Sequence, residues 1–251
     1  PALACGADSD CAVGDRSYRL YVPADATGPM GLLVFAHGYK GSAAGEMANK
    51  SLRKLADDLG MVLVALKSAG DDWQIAHTPQ APERAEVLEY DYIDAVLADA
   101  ASRAEIDPGR RVMAGFSAGG MMTWTLACGA SDRFHGFVAL SGTFWAPVPA
   151  TCTSPPANLV HIHGTTDRTV PLTGRPIGGT SQGDVGQALA MYATHGGFAR
   201  DGAATPAPGE MTCRTARNPA GKRLDFCTFD GGHAFNADRL RFGIQTVLAA
   251  P

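Results

Sequence analysis

Apolar residues fall along the chain in two alternating patterns. One is the short continuous run: GLLVFAHG at 31–38, MVLVAL at 61–66, RRVMAGF at 110–116, FHGFVALSG at 134–142 and NLVHIHG at 158–164. Runs of this length without polar alternation suit strands buried on both faces. RLDFCTFDGG at 223–232 reads as the last strand. SYRLYVP at 17–23 alternates and ends in Pro23, so it reads as an edge strand. The other pattern has helical spacing. SLRKLADDLG at 51–60 aligns Leu52, Leu55 and Leu59, and Gly60 follows as a C-terminal cap. VLEYDYIDAVLADA at 87–100 sets Leu88, Tyr92, Ile93, Val96 and Leu97 on one side. Residues 117–129, 184–197 and 235–250 read as three further helices. Strands alternating with helices predict the α/β class: a mostly parallel central sheet with helices on both faces.

Composition narrows this picture. The 251 residues suit one α/β domain, 1–251, and no linker long enough to split the chain is evident. No apolar run reaches the roughly eighteen residues of a membrane span. The net charge is −4, with Lys and Arg scattered, which argues against a nucleic-acid partner. The six cysteines, Cys5, Cys11, Cys128, Cys152, Cys213 and Cys227, include no Cys-x-x-Cys pair. An even count without zinc spacing reads as disulfides formed in an oxidising compartment. Together with a start at Pro1 rather than Met, this leads to the expectation of a mature bacterial chain, secreted or periplasmic.

The candidate chemistry lies in AGFSAGG, residues 114–120, where Ser117 is surrounded by small residues. The strand before it and the helix after it give Gly-x-Ser-x-Gly a mechanical meaning. A serine on a sharp strand-to-helix turn needs small flanking residues, and the helix start beneath it offers unpaired N–H groups. GTSQG at 179–183 fits the same pattern, but Ser181 follows a polar, Gly- and Pro-rich stretch and reads as loop. A serine needs a base, and the base an orienting acid. Asp167 lies just past the strand at 158–164, and His233 just past the last strand. The chain order Ser117, Asp167, His233 fits the α/β-hydrolase plan, with all three on loops at the carboxyl ends of strands. The Ala118 N–H is one oxyanion donor, and the Tyr39 N–H, after His37 and Gly38, is the second. His161 and His163 could be zinc ligands, but no third ligand follows at matching spacing, so they read as core or loop-buttressing residues. Trp73, in a long loop at 68–86, and Trp145 are candidate substrate contacts that could equally be anchors packed onto the core. Trp124, on the helix after Ser117, reads as core.

Five stretches together, YRLYVP, FAHGYKGSA, IDPGRRVMAGFSAGGMM, HIHGTTDRTVP and FDGGHAF, resemble the secreted polyhydroxybutyrate depolymerase and feruloyl esterase family of α/β-hydrolases. The resemblance implies a serine esterase that needs no cofactor or metal. It also implies Ser117, Asp167 and His233 as the triad and Tyr39 with Ala118 as the oxyanion hole. The substrates it implies are small or polymeric esters: hydroxycinnamoyl or acetyl esters of polysaccharides, or polyhydroxyalkanoates. Polymer-degrading members often carry linker and binding domains; none is evident in these 251 residues, so binding to insoluble polymer is not expected. An acyltransferase with the same triad and an acetylxylan esterase are the alternatives. No macromolecular partner is expected, and the protein is expected to be monomeric. Of fifteen possible disulfide pairings, Cys5–Cys11, Cys128–Cys152 and Cys213–Cys227 are expected. The first pair flanks a short turn. The second joins the end of the nucleophile helix to a nearby loop, and the third joins two extended stretches.

Overall fold

The computed structural model describes the chain except residues 1–4, 26–27, 80–84 and 201. Its strands are β1 (Cys11–Val13), β2 (Arg16–Tyr21), β3 (Met30–Ala36), β4 (Met61–Leu66), β5 (Ile106–Phe116), β6 (Gly136–Leu140), β7 (Asn158–Gly164), β8 (Pro176–Ile177), β9 (Thr180–Ser181), β10 (Ala199–Arg200), β11 (Thr205–Ala207), β12 (Met211–Arg217) and β13 (Arg223–Phe229). Between them run α1 (Ala43–Ala48), α2 (Lys50–Leu59), α3 (Ala85–Arg103), α4 (Ala118–Gly129), α5 (Val185–Gly196) and α6 (Ala237–Leu248).

Eleven strands form one sheet in the order β1-β2-β4-β3-β5-β6-β7-β13-β12-β10, with β11 beside β12. The six strands from β4 to β13 in this order pair parallel, and the outer ones antiparallel. The apolar runs account for this placement. Every residue of β3, β4, β6 and β7 is buried, and alternate side chains serve opposite faces. Leu32, Val34 and Ala36 join Ile93, Val96, Met122 and Trp124 in one core, whereas Leu33 and Phe35 join Leu52, Leu55, Ile244 and Val247 in the other. This is the α/β-hydrolase architecture expected from the alternation of strands and helices. Because the central strands run the same way, the ends of β3, β5, β7 and β13 deliver their following loops to a single edge.

The disulfides are Cys5–Cys11, Cys128–Cys152 and Cys213–Cys227, the expected pairs. Cys213 and Cys227 are directly opposed across β12 and β13, with Cα atoms 4.0 Å apart. Among the described residues no helix is long and apolar enough to cross a membrane.

Four local expectations are corrected. The strand at 16–21 is not the edge, because three-residue β1 pairs outside it; so short a strand carries no readable period. The six-residue α1 is additional and is started by Ser42, whose Oγ accepts the Gly45 N–H at 3.0 Å. Ser181 lies in the two-stranded β8–β9 hairpin. Leu88 is 47% exposed. The inward stripe of α3 is instead Glu89, Tyr92, Ile93, Val96, Leu97 and Ala100. A buried carboxylate holds the position that a purely apolar pattern assigns to its neighbour. Glu89 is stabilised there by Arg16 Nη1 at 2.8 Å and the Gln74 N–H at 2.8 Å.

This rotation of α3 is testable by urea denaturation. Ile93→Ala, at a fully buried site of α3, should lower unfolding free energy by about 2–5 kcal/mol. Leu88→Ala should change it by no more than about 0.5 kcal/mol. A large loss at Leu88 would contradict the inward stripe.

Candidate active site

Ser117 sits between β5 and α4 with φ 60° and ψ −120°, a conformation that costs a non-glycine residue of order 1–3 kcal/mol. The turn is held on both sides: Ser117 N–H donates to the Leu140 carbonyl at 2.9 Å, and the Ser117 carbonyl accepts from Met121 N–H at 3.1 Å. The glycines of AGFSAGG allow its close packing. A Cβ on Gly115 would strike the Gly119 carbonyl, and one on Gly119 would strike the Ala36 carbonyl. The start of α4 therefore lies directly against the end of β3.

The loop leaving β3 passes beside the serine, and a Cβ on Gly38 would lie 3.4 Å from Ser117 Cβ. Among the described residues, neither Tyr39 N–H nor Ala118 N–H is spent on a backbone carbonyl, and both residues line the same cavity as Ser117. The Tyr39 side chain is 57% exposed and stands at the rim. His37 is a structural part of this loop, to which the sequence reading gave no role of its own. Its Nδ1–H donates to the Gly38 carbonyl at 2.7 Å, and its Nε2 accepts Ser68 N–H at 3.2 Å. Burial holds its pKa below the ordinary histidine value against the raising effect of the Gly38 bond, which suits a neutral ring with one donor and one acceptor. The Trp73 indole N–H donates to the His37 carbonyl at 2.8 Å, and the two rings pack at 4.7 Å. Trp73 is 1% exposed, so it is an anchor, yet it also lines the cavity.

Asp167 lies three residues beyond β7, and its carboxylate is fully enclosed by donors. Oδ1 accepts the N–H groups of Thr169 at 2.8 Å and Val170 at 2.9 Å. Oδ2 accepts His233 Nδ1–H at 2.7 Å and lies 3.4 Å from His163 Nε2. Burial pushes the Asp167 pKa up, but bonds from His163, His233 and Val170 outweigh it and bring the carboxyl to about 2. His233, carried on the loop after β13, packs its ring on Phe116 at 4.7 Å. Its Nδ1 is committed to Asp167, which leaves Nε2 for proton exchange. No hydrogen bond links Ser117 Oγ to His233 among the described residues; such contacts commonly tighten only as substrate binds.

His161 and His163 are completely buried and bonded to each other at 2.9 Å. His161 Nδ1 accepts the Trp124 indole N–H at 3.0 Å, and His163 Nε2–H donates to the Val170 carbonyl at 2.8 Å. Their nitrogens are thus taken up by protein partners. Among the described residues no cluster of three metal-ligating side chains occurs.

The cavity over Ser117 holds about 480 Å³. Its apolar walls include Trp73, Met121, Trp145, Val170 and Ile177, and the charged Arg175, Asp71 and Asp72 also line it. Gln182 also lines it, is 7% exposed, and has a buried Oε1 with no hydrogen-bond partner among the described residues. Arg175, Ile177 and Gln182 come from the β8–β9 hairpin region, where no sequence signal separates a cavity wall from an ordinary loop. Part of the Trp73 loop, 80–84, lies outside the described residues.

This sheet, with the Ser117 turn at its carboxyl edge, has the α/β-hydrolase fold. Comparison with known proteins adds the esterase resemblance. The phospholipase/carboxylesterase family matches residues 83–176. NocK of Nocardia uniformis subsp. tsuyamanensis, an assigned esterase, is 29% identical over 162 residues, covering 63% of this chain and 47% of its own. Feruloyl esterase C of Emericella nidulans is 28% identical over 160 residues, covering 63% and 53% respectively. The chain thus spans about half the length of the curated relatives it matches. The acetyl xylan esterase of Aspergillus awamori superposes with a TM-score of 0.69 at 14% identity, over 94% of this chain and 98% of that one. At that identity the likeness is one of fold. The resemblance to esterases read from the sequence is borne out by these matches.

The low pKa of Asp167 gives a pH prediction. Its folded value, about 2, is below the ordinary 3.8, so its stabilising contribution is complete above about pH 4 and is lost as pH falls toward 2. Denaturation between pH 2 and 6 should show this loss in the native protein. The Asp167→Asn variant should lack that component, and an identical acid slope in both would refute the assignment.

Proposed function

We propose that the protein is a serine carboxylic-ester hydrolase. Ser117 is the nucleophile, His233 the general acid–base, Asp167 its orienting carboxylate, and the N–H groups of Tyr39 and Ala118 the oxyanion hole. The observation that carries this reading is the 2.7 Å Asp167–His233 bond at the sheet edge that also bears the Ser117 turn. Esterase names among the relatives support it.

The reaction follows from these positions. His233 Nε2 takes the Ser117 proton as Oγ attacks the ester carbonyl, and the negative charge on the carbonyl oxygen falls between the two amides. Collapse expels the alcohol, protonated by His233, and leaves an acyl group on Ser117. Water, deprotonated by the same imidazole, then releases the acid. Asp167 remains a carboxylate throughout and stabilises the imidazolium.

The acyl group is aromatic or short. The cavity's tryptophan and aliphatic walls suit such a group, and Gln182 Oε1 offers an acceptor for a hydroxyl on it. The name feruloyl esterase C among the relatives points the same way. The chain acts as one catalytic domain and as a monomer. Three disulfides support work in an oxidising, extracellular or periplasmic compartment.

Ser117→Ala should reduce hydrolysis of p-nitrophenyl acetate at least about a thousandfold, while Ser181→Ala leaves it near normal. A folded Ser117→Ala protein keeping more than a few per cent of activity, scaled to native, would refute the nucleophile assignment. Gln182→Leu should cut kcat/KM for methyl p-coumarate by about tenfold, the worth of one hydrogen bond, and spare methyl cinnamate, which lacks that hydroxyl. Equal effects on both esters would remove Gln182 from substrate recognition.

A further inference from the structure

The buried histidine pair lies outside the proposed proton path, yet it leads to the acid. Its hydrogen bonds have a fixed direction. The Trp124 indole can only donate, so His161 Nδ1, 3.0 Å away, is an acceptor. Burial keeps the His161 pKa well below the ordinary value, so the ring is neutral and its one proton sits on Nε2. That proton goes to His163 Nδ1 at 2.9 Å, which leaves the His163 proton on Nε2. His163 Nε2–H then donates to the Val170 carbonyl at 2.8 Å, with Asp167 Oδ2 3.4 Å away. A carbonyl can only accept, so the far end of the chain demands the same orientation as the near end. Every ring is at 0% exposure, so no solvent offers an alternative partner.

We propose that His163 is a positioning residue for Asp167, and that Trp124 and His161 act through it by fixing its tautomer. The loop from Asp167 to Val170 closes on itself, since Oδ1 accepts the Thr169 and Val170 N–H groups. His163 fastens this closed turn to β7 through the Val170 carbonyl and turns its N–H edge toward Oδ2. The same oxygen receives His233 Nδ1–H. In the opposite tautomer His163 would turn a lone pair toward both the carbonyl and the carboxylate, and the acid would be pushed from its place. The chain therefore runs from the helix that begins at the nucleophile to the loop that bears the acid.

This inference rests on the triad reading proposed above, and its test separates the two. In the wild-type protein, ¹⁵N NMR of the ring nitrogens should find His163 protonated on Nε2 and not on Nδ1. A downfield proton resonance should report the His233–Asp167 bond. Neither measurement needs a substrate, so both stand even if ester hydrolysis fails. His163→Phe should lower kcat for p-nitrophenyl acetate on the order of tenfold to a hundredfold, the scale of a small misplacement of catalytic groups. KM should be unchanged, and the downfield resonance should shift or vanish. His163→Gln, whose amide can restore the donor, should recover most of the loss and the resonance. The proposal is overturned by an Nδ1–H tautomer at His163, by a folded His163→Phe protein with kcat within threefold of wild type, or by equal impairment of the Phe and Gln variants when both fold. If His163→Phe does not fold, the wild-type tautomer and the Gln variant decide.

Discussion

Everything at the carboxyl edge depends on how closely α4 approaches β3. A helix start pressed against the carbonyl of Ala36 leaves no room for a side chain at Gly119. That contact brings the Ser117 turn, with its positive φ, against the loop after β3, which bears one of the two amides proposed to hold the oxyanion. The strain at Ser117 is sustained because the turn is bonded to Leu140 on one side and Met121 on the other. A looser approach would relax the serine and separate it from the loop after β3.

Around this turn, polar groups are satisfied by neutral donors more than by countercharges. Asp167 is stabilised as an anion by two backbone amides and by histidine N–H groups. His37 and His161 are neutral because burial disfavours the cation. The buried ion pair Arg16–Glu89 stands apart, under the Trp73 loop, where Glu89 also takes the Gln74 N–H. The Arg16–Glu89 charges thus support the scaffold under the Trp73 loop, while N–H donors surround the Asp167 carboxylate.

The sequence made the sheet legible because four central strands, β3, β4, β6 and β7, are buried along their whole length. Ser117, Asp167 and His233 stood out because each lies just past a strand read from the sequence. What escaped has physical reasons. Strands of two or three residues, such as β1 and β10, have no period to detect. The turn of α3 is set by Glu89, whose burial depends on Arg16, seventy-three positions away. His37 was hidden because its work is done by ring nitrogens on the backbone, leaving no pattern in neighbouring residues. Gln182 is brought to the cavity at the end of a hairpin that bridges to Trp145.

That hairpin has a consequence for how such a protein can diverge. The reacting groups hang from the central sheet, whereas Arg175, Ile177 and Gln182 come from a short excursion between β7 and α5. Its two small strands pair with each other and not with the main sheet. Changes there alter the shape and polarity of part of the cavity wall while the strands that lead to Ser117, Asp167 and His233 keep their register. On the proposed reading, part of the preference for substrate is therefore inherited apart from the competence for chemistry.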